Sequence, residues 1–283
     1  MQVLQLATGQ SGWEAFDATC ATCSMYRPSG NSGGRFGNGY WYFYPHENPD
    51  AGCLPDALPG GWKDAIVVQP GFRVPLAPKQ VSPITISYVT PGVLQQIATG
   101  HFSFHLPTEV QGGIRLTLPQ LSVFRRATAR ILLSEQLNDD GSVRVPMYTG
   151  ATFISNFSLV PGAELAHHEY MNWRFGEIIF TDQAGQPIAV DHGDFNLSAW
   201  VVHYPYETAR ATVFTSSSTA LDAVWRLNQN SVRYLGLDFY SDSNARQRSD
   251  ACQADATTAS QAQFATTAEL AMPRQQMQVC VQS

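Results

Sequence analysis

The stretch Gly113-Ile-Arg-Leu-Thr-Leu-Pro119 alternates apolar and polar side chains, with Ile114, Leu116 and Leu118 on one side and Arg115 and Thr117 on the other. Successive side chains of an extended chain point to opposite faces, so a period of two reads as a half-buried β-strand. The same period recurs at Ile84, Ile86 and Tyr88. Further strands are expected at Ala129 to Leu137, Glu177 to Phe180 and Leu197 to Tyr206. Turn-forming runs such as Asn138-Asp-Asp-Gly141 and Asp182-Gln-Ala-Gly185 separate them. Short strands at this spacing, with no helical pattern between them, imply an antiparallel β-sandwich over residues 81–214.

Outward from that region the pattern changes on both sides. Near residue 215 the apolar positions switch to Leu221, Val224, Trp225, Asn228, Val232 and Leu235, whose steps of three and four make one helix face. Ser216-Ser-Ser-Thr219 offers N-caps and Gly236 a stop. A second, Ala-rich helix is expected from about Ala256 to Leu270, with Phe264 inward and Pro273 marking its end. The tail from Met277 to Ser283 shows no helical continuation. Residues 1–80 form a Gly- and aromatic-rich β region, with a loop at Ser29–Gly39 and an aromatic strand at Tyr40-Trp-Tyr-Phe-Tyr44. The chain therefore reads as mainly β, closing with helices from residue 215 onward.

Composition excludes several functions. Of 283 residues, 44% are hydrophobic and 14% charged, which supplies a packed core and argues against disorder. Lys and Arg number 17 against 23 Asp and Glu, net −6, without a basic run, so no nucleic-acid partner is expected. No apolar stretch approaches the roughly 18 residues of a membrane span, and the opening residues carry no export signal. The five cysteines do not make a disulfide framework in a chain this long. Cys20 and Cys23 form a CxxC, but no second pair follows at zinc-ribbon spacing.

Other constellations read as structural. Adjacent His167 and His168, beside Glu169, would point to opposite faces of a strand and not chelate one ion. His101 and His105 share a strand face at about 13 Å, too far apart for one metal. No metal and no cofactor is expected, there being no GxGxxG between a strand and a helix, and without a GxSxG elbow nothing favours Ser-His-Asp chemistry.

The unusual stretch lies between the two helices: Asp238-Phe-Tyr-Ser-Asp242-Ser-Asn-Ala-Arg246-Gln247-Arg248-Ser-Asp250-Ala-Cys-Gln253-Ala-Asp255. Acids and arginines concentrate here in a chain otherwise poor in charge. One reading is a salt-bridged connection with Asp255 as N-cap of the second helix. The other is a polar site in which carboxylates bind sugar hydroxyls and arginines orient those carboxylates through bidentate hydrogen bonds.

This motif resembles that of the bacterial-type α-L-rhamnosidases of glycoside hydrolase family 78, where an Asp, an Arg-Glu-Arg and a Gly-Asp-Ala follow in order. The corresponding residues are Asp242, then Arg246-Gln247-Arg248, then Ala254-Asp255-Ala256. Val110-Gln-Gly-Gly113, Glu164 to Phe175 and Leu221-Asp-Ala-Val-Trp225 agree with the family in the same order. The resemblance implies a β-sandwich leading into an (α/α)6 barrel that hydrolyses terminal α-L-rhamnosides with inversion, without an organic cofactor. It implies that Asp242, Arg246, Arg248 and Asp255 bind or order the rhamnose site. Inversion needs two carboxyls about 6.5–9.5 Å apart, one donating a proton and one activating water.

Two departures bear on activity. Gln247 stands in the general-acid position, and an amide cannot donate that proton, which leaves Asp250 as a substitute candidate. The interval from Asp242 to Asp255 is one residue longer than the family pattern. A twelve-helix barrel would take roughly 300 residues, whereas about 70 follow residue 215. The barrel of residues 215–283 is therefore expected to be truncated, without an assignable base, inactive alone and prone to association through uncovered helix faces. Two alternatives are a non-catalytic carbohydrate-binding β-sandwich with Trp41, Tyr42 or Trp62 as stacking platforms, and a degenerate family member that has lost its acid.

Overall fold

The computed structural model describes Glu14–Ala15, Lys63–Asp64 and residues 81–282, apart from 149–152, 168–170, 206–210, 238–239, 244–247 and 250–253. The chain divides into two compact units, residues 1–27 with 40–78 and residues 28–39 with 79–283. In the first, β1 (Glu14–Ala15) pairs antiparallel with β2 (Lys63–Asp64). The aromatic run at 40–44, Trp62 and the Cys20/Cys23 pair lie outside the described residues.

The second unit is mainly β. Its strands are β3 (Thr85–Val89), β4 (Val93–Ala98), β5 (His101–Thr117), β6 (Thr128–Ser134), β7 (Phe153–Ser158), β8 (Glu164–Ala166), β9 (Met171–Thr181) and β10 (Asn196–His203). Together they form one eight-stranded antiparallel network of order β3-β10-β5-β9-β6-β7, with β4 and β8 also paired to β5. The alternating sequence at residues 113–117 thus belongs to β5, the strand that pairs with β4, β8, β9 and β10. Both expected turns close as read: Gly141 N–H donates to Asn138 O at 2.9 Å and Gly185 N–H to Asp182 O at 3.0 Å.

Strand β5 is too long to be straight. It pairs with β4 and β9 over its first half and with β10, β9 and β8 over its second. Between His105/Phe175 and Val110/Trp173 it runs five residues against two of β9, so a bulge interrupts the ladder. The bulge exposes Pro107, Thr108 and Glu109 and redirects the strand. Phe102, Phe104 and Leu106 before it, and Ile114 and Leu116 after it, are all buried. Around them Phe102, Phe180 and Phe195 pack edge to face or tilted at 5.0–6.1 Å, and Phe104 meets Trp173 at 5.8 Å. The aromatics of this unit therefore serve mostly as core. The edge strand β3 is an exception, since Ile86 and Tyr88 are 58% and 61% exposed.

After β10 the chain forms α1 (Thr219–Leu235), a hairpin of β11 (Ser241–Ser243) and β12 (Arg248–Ser249), α2 (Ala254–Thr266) and α3 (Ala271–Gln282). Ser218 caps α1 by accepting from Leu221 N–H at 3.4 Å, within the expected Ser/Thr run. Three expectations are corrected here. Pro273 does not end a helix: it is the third residue of α3, where the amide has no intrahelical acceptor and proline's missing N–H costs nothing. The tail from Met277 is helical as far as Gln282. Phe264 is not inward but 52% exposed, because the buried face of α2 is Ala256, Ala259, Gln263 and Thr266. On α1, Leu221, Val224 and Leu227 are more than half exposed and Val232 is buried.

The Gly112-Gly113 pair has a packing reason. A Cβ on Gly112 would lie 2.0 Å from the Trp200 carbonyl oxygen of β10. One on Gly113 would lie 2.5 Å from His167 Cβ and 2.8 Å from Trp200 Nε1. Backbone at Gly112 cannot retreat without breaking the ladder, so Gly112→Ala should cost about 2 kcal/mol or more in urea denaturation. Gly193→Ala, where nothing lies within 4 Å, should stay within about 0.5 kcal/mol of the wild type.

Candidate functional site

Within the motif between α1 and α2, the described residues Ser241–Ser243 and Arg248–Ser249 form the antiparallel β11–β12 hairpin pair. Ser241 faces Ser249 and Ser243 faces Arg248, with a register shift between the two pairs. The backbone thus sets Asp242 and Arg248 on adjoining strands of one hairpin, while Asp255 is the second residue of α2, inside its first turn and not before it. Arg246, Gln247 and Asp250 lie outside the described residues. Both α1 and α2 pack against β11.

Beneath the hairpin sits a polar ring that sequence reading did not find. Tyr240, the residue before β11, is 2% exposed. Its hydroxyl donates to Gln263 Oε1 of α2 at 2.5 Å, and its backbone N–H donates to Gln276 Oε1 of α3 at 3.0 Å. Gln263 Nε2 donates in turn to Glu269 Oε2 at 2.7 Å. The Glu269 carboxylate also accepts the first amides of α3, Ala271 N–H at 2.5 Å and Met272 N–H at 3.3 Å. A carboxylate there satisfies orphan donors and meets the positive end of the helix. Burial pushes the Tyr240 phenol up, so it remains a donor throughout the physiological range. Tyr204, Tyr240, Ala256, Ala259 and Met272 complete a small apolar core around the ring.

Next to this ring, a small cleft opens among Tyr204, Arg233, Gln263 and Glu269. His203 is buried beside it, donating from Nδ1 to the Tyr204 carbonyl at 2.8 Å and accepting from Arg233 at Nε2, 3.2 Å. Burial first, and the Arg233 charge second, depress its pKa, so the ring stays neutral.

The histidines read as structural have structural partners. His167 Nδ1 accepts from Ile114 N–H at 3.1 Å and Nε2 lies 2.5 Å from Ser155 Oγ; His168 and Glu169 are outside the described residues. His101 pairs with Glu177 at 2.9 Å, and Glu177 also accepts Val143 N–H at 2.7 Å. Among the described residues, no group of three or more His, Cys, Asp or Glu could hold a metal ion, and no helix is long and apolar enough to cross a membrane.

A second carboxylate feature arises from the bulge. Glu109, carried out by it, accepts from Asn172 Nδ2 at 3.3 Å, and its carbonyl accepts from Asn230 of α1 at 3.3 Å. Although the residue is surface-exposed, desolvation of its carboxyl by the protein around it raises the Glu109 pKa against the opposing pull of Asn172 and Arg174. Glu135, at the end of β6, is pushed up to about 7 by burial and by the charge of Glu109. No motif announces this pair, because 26 residues of chain and a bulge separate its members.

Comparison with known proteins identifies the fold. No protein-family model matches the chain, and no curated protein matches it. Among solved structures, it is similar to an α-L-rhamnosidase from Dictyoglumus thermophilum (TM-score 0.58, 17% identity over 82% of this chain). It is also similar to a rhamnosidase from Klebsiella oxytoca with rhamnose bound (0.51, 11%, 70%) and to a family 78 rhamnosidase of Bacillus sp. GL1 (0.51, 14%, 66%). The chain spans 25%, 44% and 19% of the length of those three proteins. At such identities what is shared is architecture: the chain has an α-L-rhamnosidase-like fold.

The Glu135 carboxyl generates a pH prediction. An unfolded Glu135 titrates near 4.5, and the fold holds its proton up to about 7. The folded state is therefore favoured by this group below about pH 4.5, loses that contribution as pH rises to about 7, and carries the full cost of the buried charge above it. Glu135→Gln should raise the melting temperature by about 2–4 °C at pH 8, about 1 kcal/mol after solvent screening, and leave it unchanged at pH 4.

Proposed function

We propose that the chain is a glycoside-hydrolase-like protein of the α-L-rhamnosidase type whose β11–β12 hairpin carries an L-rhamnose site. The observation that carries the reading is the coincidence of two independent signals. The fold is rhamnosidase-like over most of the chain, and the sequence between α1 and α2 resembles the family's ordered acid and arginine motif, with Asp242 on β11, Arg248 on β12 and Asp255 on α2. In this reading Asp242 and Asp255 accept sugar hydroxyls, and Arg246 and Arg248 orient those carboxylates by charge-assisted hydrogen bonds. Helices α1 and α2 open an α-helical barrel, whose further helices would cover Leu221, Val224 and Leu227.

Gln247 decides between binding and turnover. An inverting hydrolase must protonate the leaving oxygen, and a neutral amide has no proton to transfer at accessible pH. The chain is accordingly read as a rhamnoside binder that does not hydrolyse, a family member that has lost its acid. Asp250, a further acid of the motif, is the residue whose action would reverse it.

The test is titration of the protein with L-rhamnose, followed by ligand-observed NMR, with D-glucose as control, beside an assay on a chromogenic α-L-rhamnoside. Binding of rhamnose over glucose is expected, weakened by about 10- to 100-fold in Arg248→Ala, since a hydrogen bond to a charged group is worth roughly 1.5–3 kcal/mol. Absence of rhamnose binding overturns the site. Hydrolysis by the unaltered chain, abolished in Asp250→Asn, overturns the role given to Gln247 and transfers the acid to Asp250.

A further inference from the structure

We infer that Gln263 and Tyr240 are positioning residues for the sugar-binding hairpin, and that α3 exists in this fold to complete their hydrogen-bond ring. The functional consequence rests on the rhamnoside reading above; the anchoring itself does not.

Gln263 occupies a core position. It lies on the buried face of α2 with Ala256, Ala259 and Thr266, at steps of three and four, and is 3% exposed. An amide at such a position costs stability unless all its polar atoms find partners, and an apolar residue of similar size would cost nothing. Its partners here are specific in kind. The Oε1 atom accepts from the Tyr240 hydroxyl at 2.5 Å while Nε2 donates to Glu269 at 2.7 Å. A side chain that both accepts and donates through a planar fork is required, and of the residues long enough to reach from α2 only glutamine provides it without charge.

What the ring holds is one point of backbone. Tyr240 is tied through its hydroxyl to α2, and through its N–H to Gln276 of α3. Its isolated bridge to Gly236 ties it to the end of α1 as well. Ser241, the first residue of the hairpin, follows immediately, with Asp242 next. Three helices therefore converge on the residue from which β11 departs. The hairpin itself is short, with a register shift between its two residue pairs, and so supplies little order of its own. Its position is inherited from Tyr240.

The test separates positioning from simple stability. Tyr240→Phe and Gln263→Met each leave a buried group unpaired and should destabilise. The double variant removes both partners of the Tyr240–Gln263 bond together, and Glu269 keeps the Ala271 and Met272 amides as donors, so it should be more stable than Gln263→Met alone. Hydrogen exchange followed by NMR on all three variants reads the amides of Ser241, Ser243, Arg248 and Ser249 against those of β5 and β9. The proposal expects the double variant to keep β5 and β9 protection, while hairpin protection falls about tenfold or more, with L-rhamnose affinity falling by a similar factor. Hairpin protection unchanged in the double variant overturns the inference. If hairpin protection falls but neither wild type nor variant binds rhamnose, the anchoring stands and the rhamnoside reading is what fails.

Discussion

The structure depends on how closely backbone approaches backbone along strand β5. That strand makes ladder hydrogen bonds to β4, β8, β9 and β10, so the sheet holds together only if its neighbours reach normal ladder spacing on both sides. At Gly112 and Gly113 the Trp200 carbonyl and indole on one side and the His167 side chain on the other occupy the space where Cβ atoms would stand. The glycines permit that approach, and the bulge at Leu106 to Glu109 permits the change of direction between the halves. His167, hydrogen-bonded to Ile114 and Ser155, is fixed against Gly113 in the space a Cβ there would take. A motif that resembles a family signature thus has, in this chain, a steric cause that can be stated in ångströms.

The same bulge links the sheet to the helical end. It exposes Glu109, whose carbonyl receives Asn230 of α1 and whose carboxylate adds to burial in raising the pKa of Glu135. Further contacts join the two: Arg233 of α1 donates to His203 of β10, and the Gly236 carbonyl at the end of α1 accepts Tyr204 N–H at 3.1 Å. These are polar contacts in a region where Leu221, Val224 and Leu227 remain uncovered, so α1 is held to the sheet by hydrogen bonding more than by its apolar stripe. Hydrophobic periodicity located that helix correctly and said nothing about which of its sides the sheet would take.

What was legible in the sequence follows from which forces act locally. The period-two runs, the Asn138–Gly141 and Asp182–Gly185 turns and the Ser218 cap depend on residues within a few positions of one another, and each formed where expected. The aromatics at Tyr40–Tyr44 and Trp62, ambiguous between core and platform, lie outside the described residues, whereas Phe102, Phe104, Trp173 and Phe180 of the sheet are buried in its core. Helix α3 is not legible in the sequence because Pro273 reads there as a terminator. A proline at the third position of a helix loses no hydrogen bond, and what starts the helix is Glu269. Phe264 was turned inward on apolarity alone, whereas the face of α2 that is buried is small and polar. The ring of Tyr240, Gln263, Glu269 and Gln276 spans 36 residues between its first bond's ends, and no pattern of spacing encodes it.

Polar residues in a core are most informative when an apolar one would have been cheaper. Among the buried positions of α2 and α3, Gln263 and Gln276 both face Tyr240, and both spend their carbonyl oxygens on it. Two side-chain amides from two helices converging on one residue specify its position in a way that shape packing against Ala256 and Ala259 cannot, since alanines leave a neighbour free to slide. Hydrogen bonds of 2.5–3.0 Å do not tolerate such sliding. The chain thus concentrates its directional interactions at the root of a hairpin too short to order itself, and in the sheet it relies on ladder pairing and close-packed aromatics. That division matches the proposed division of labour, in which the sheet is scaffold and the helical end must present a few polar groups in fixed relation.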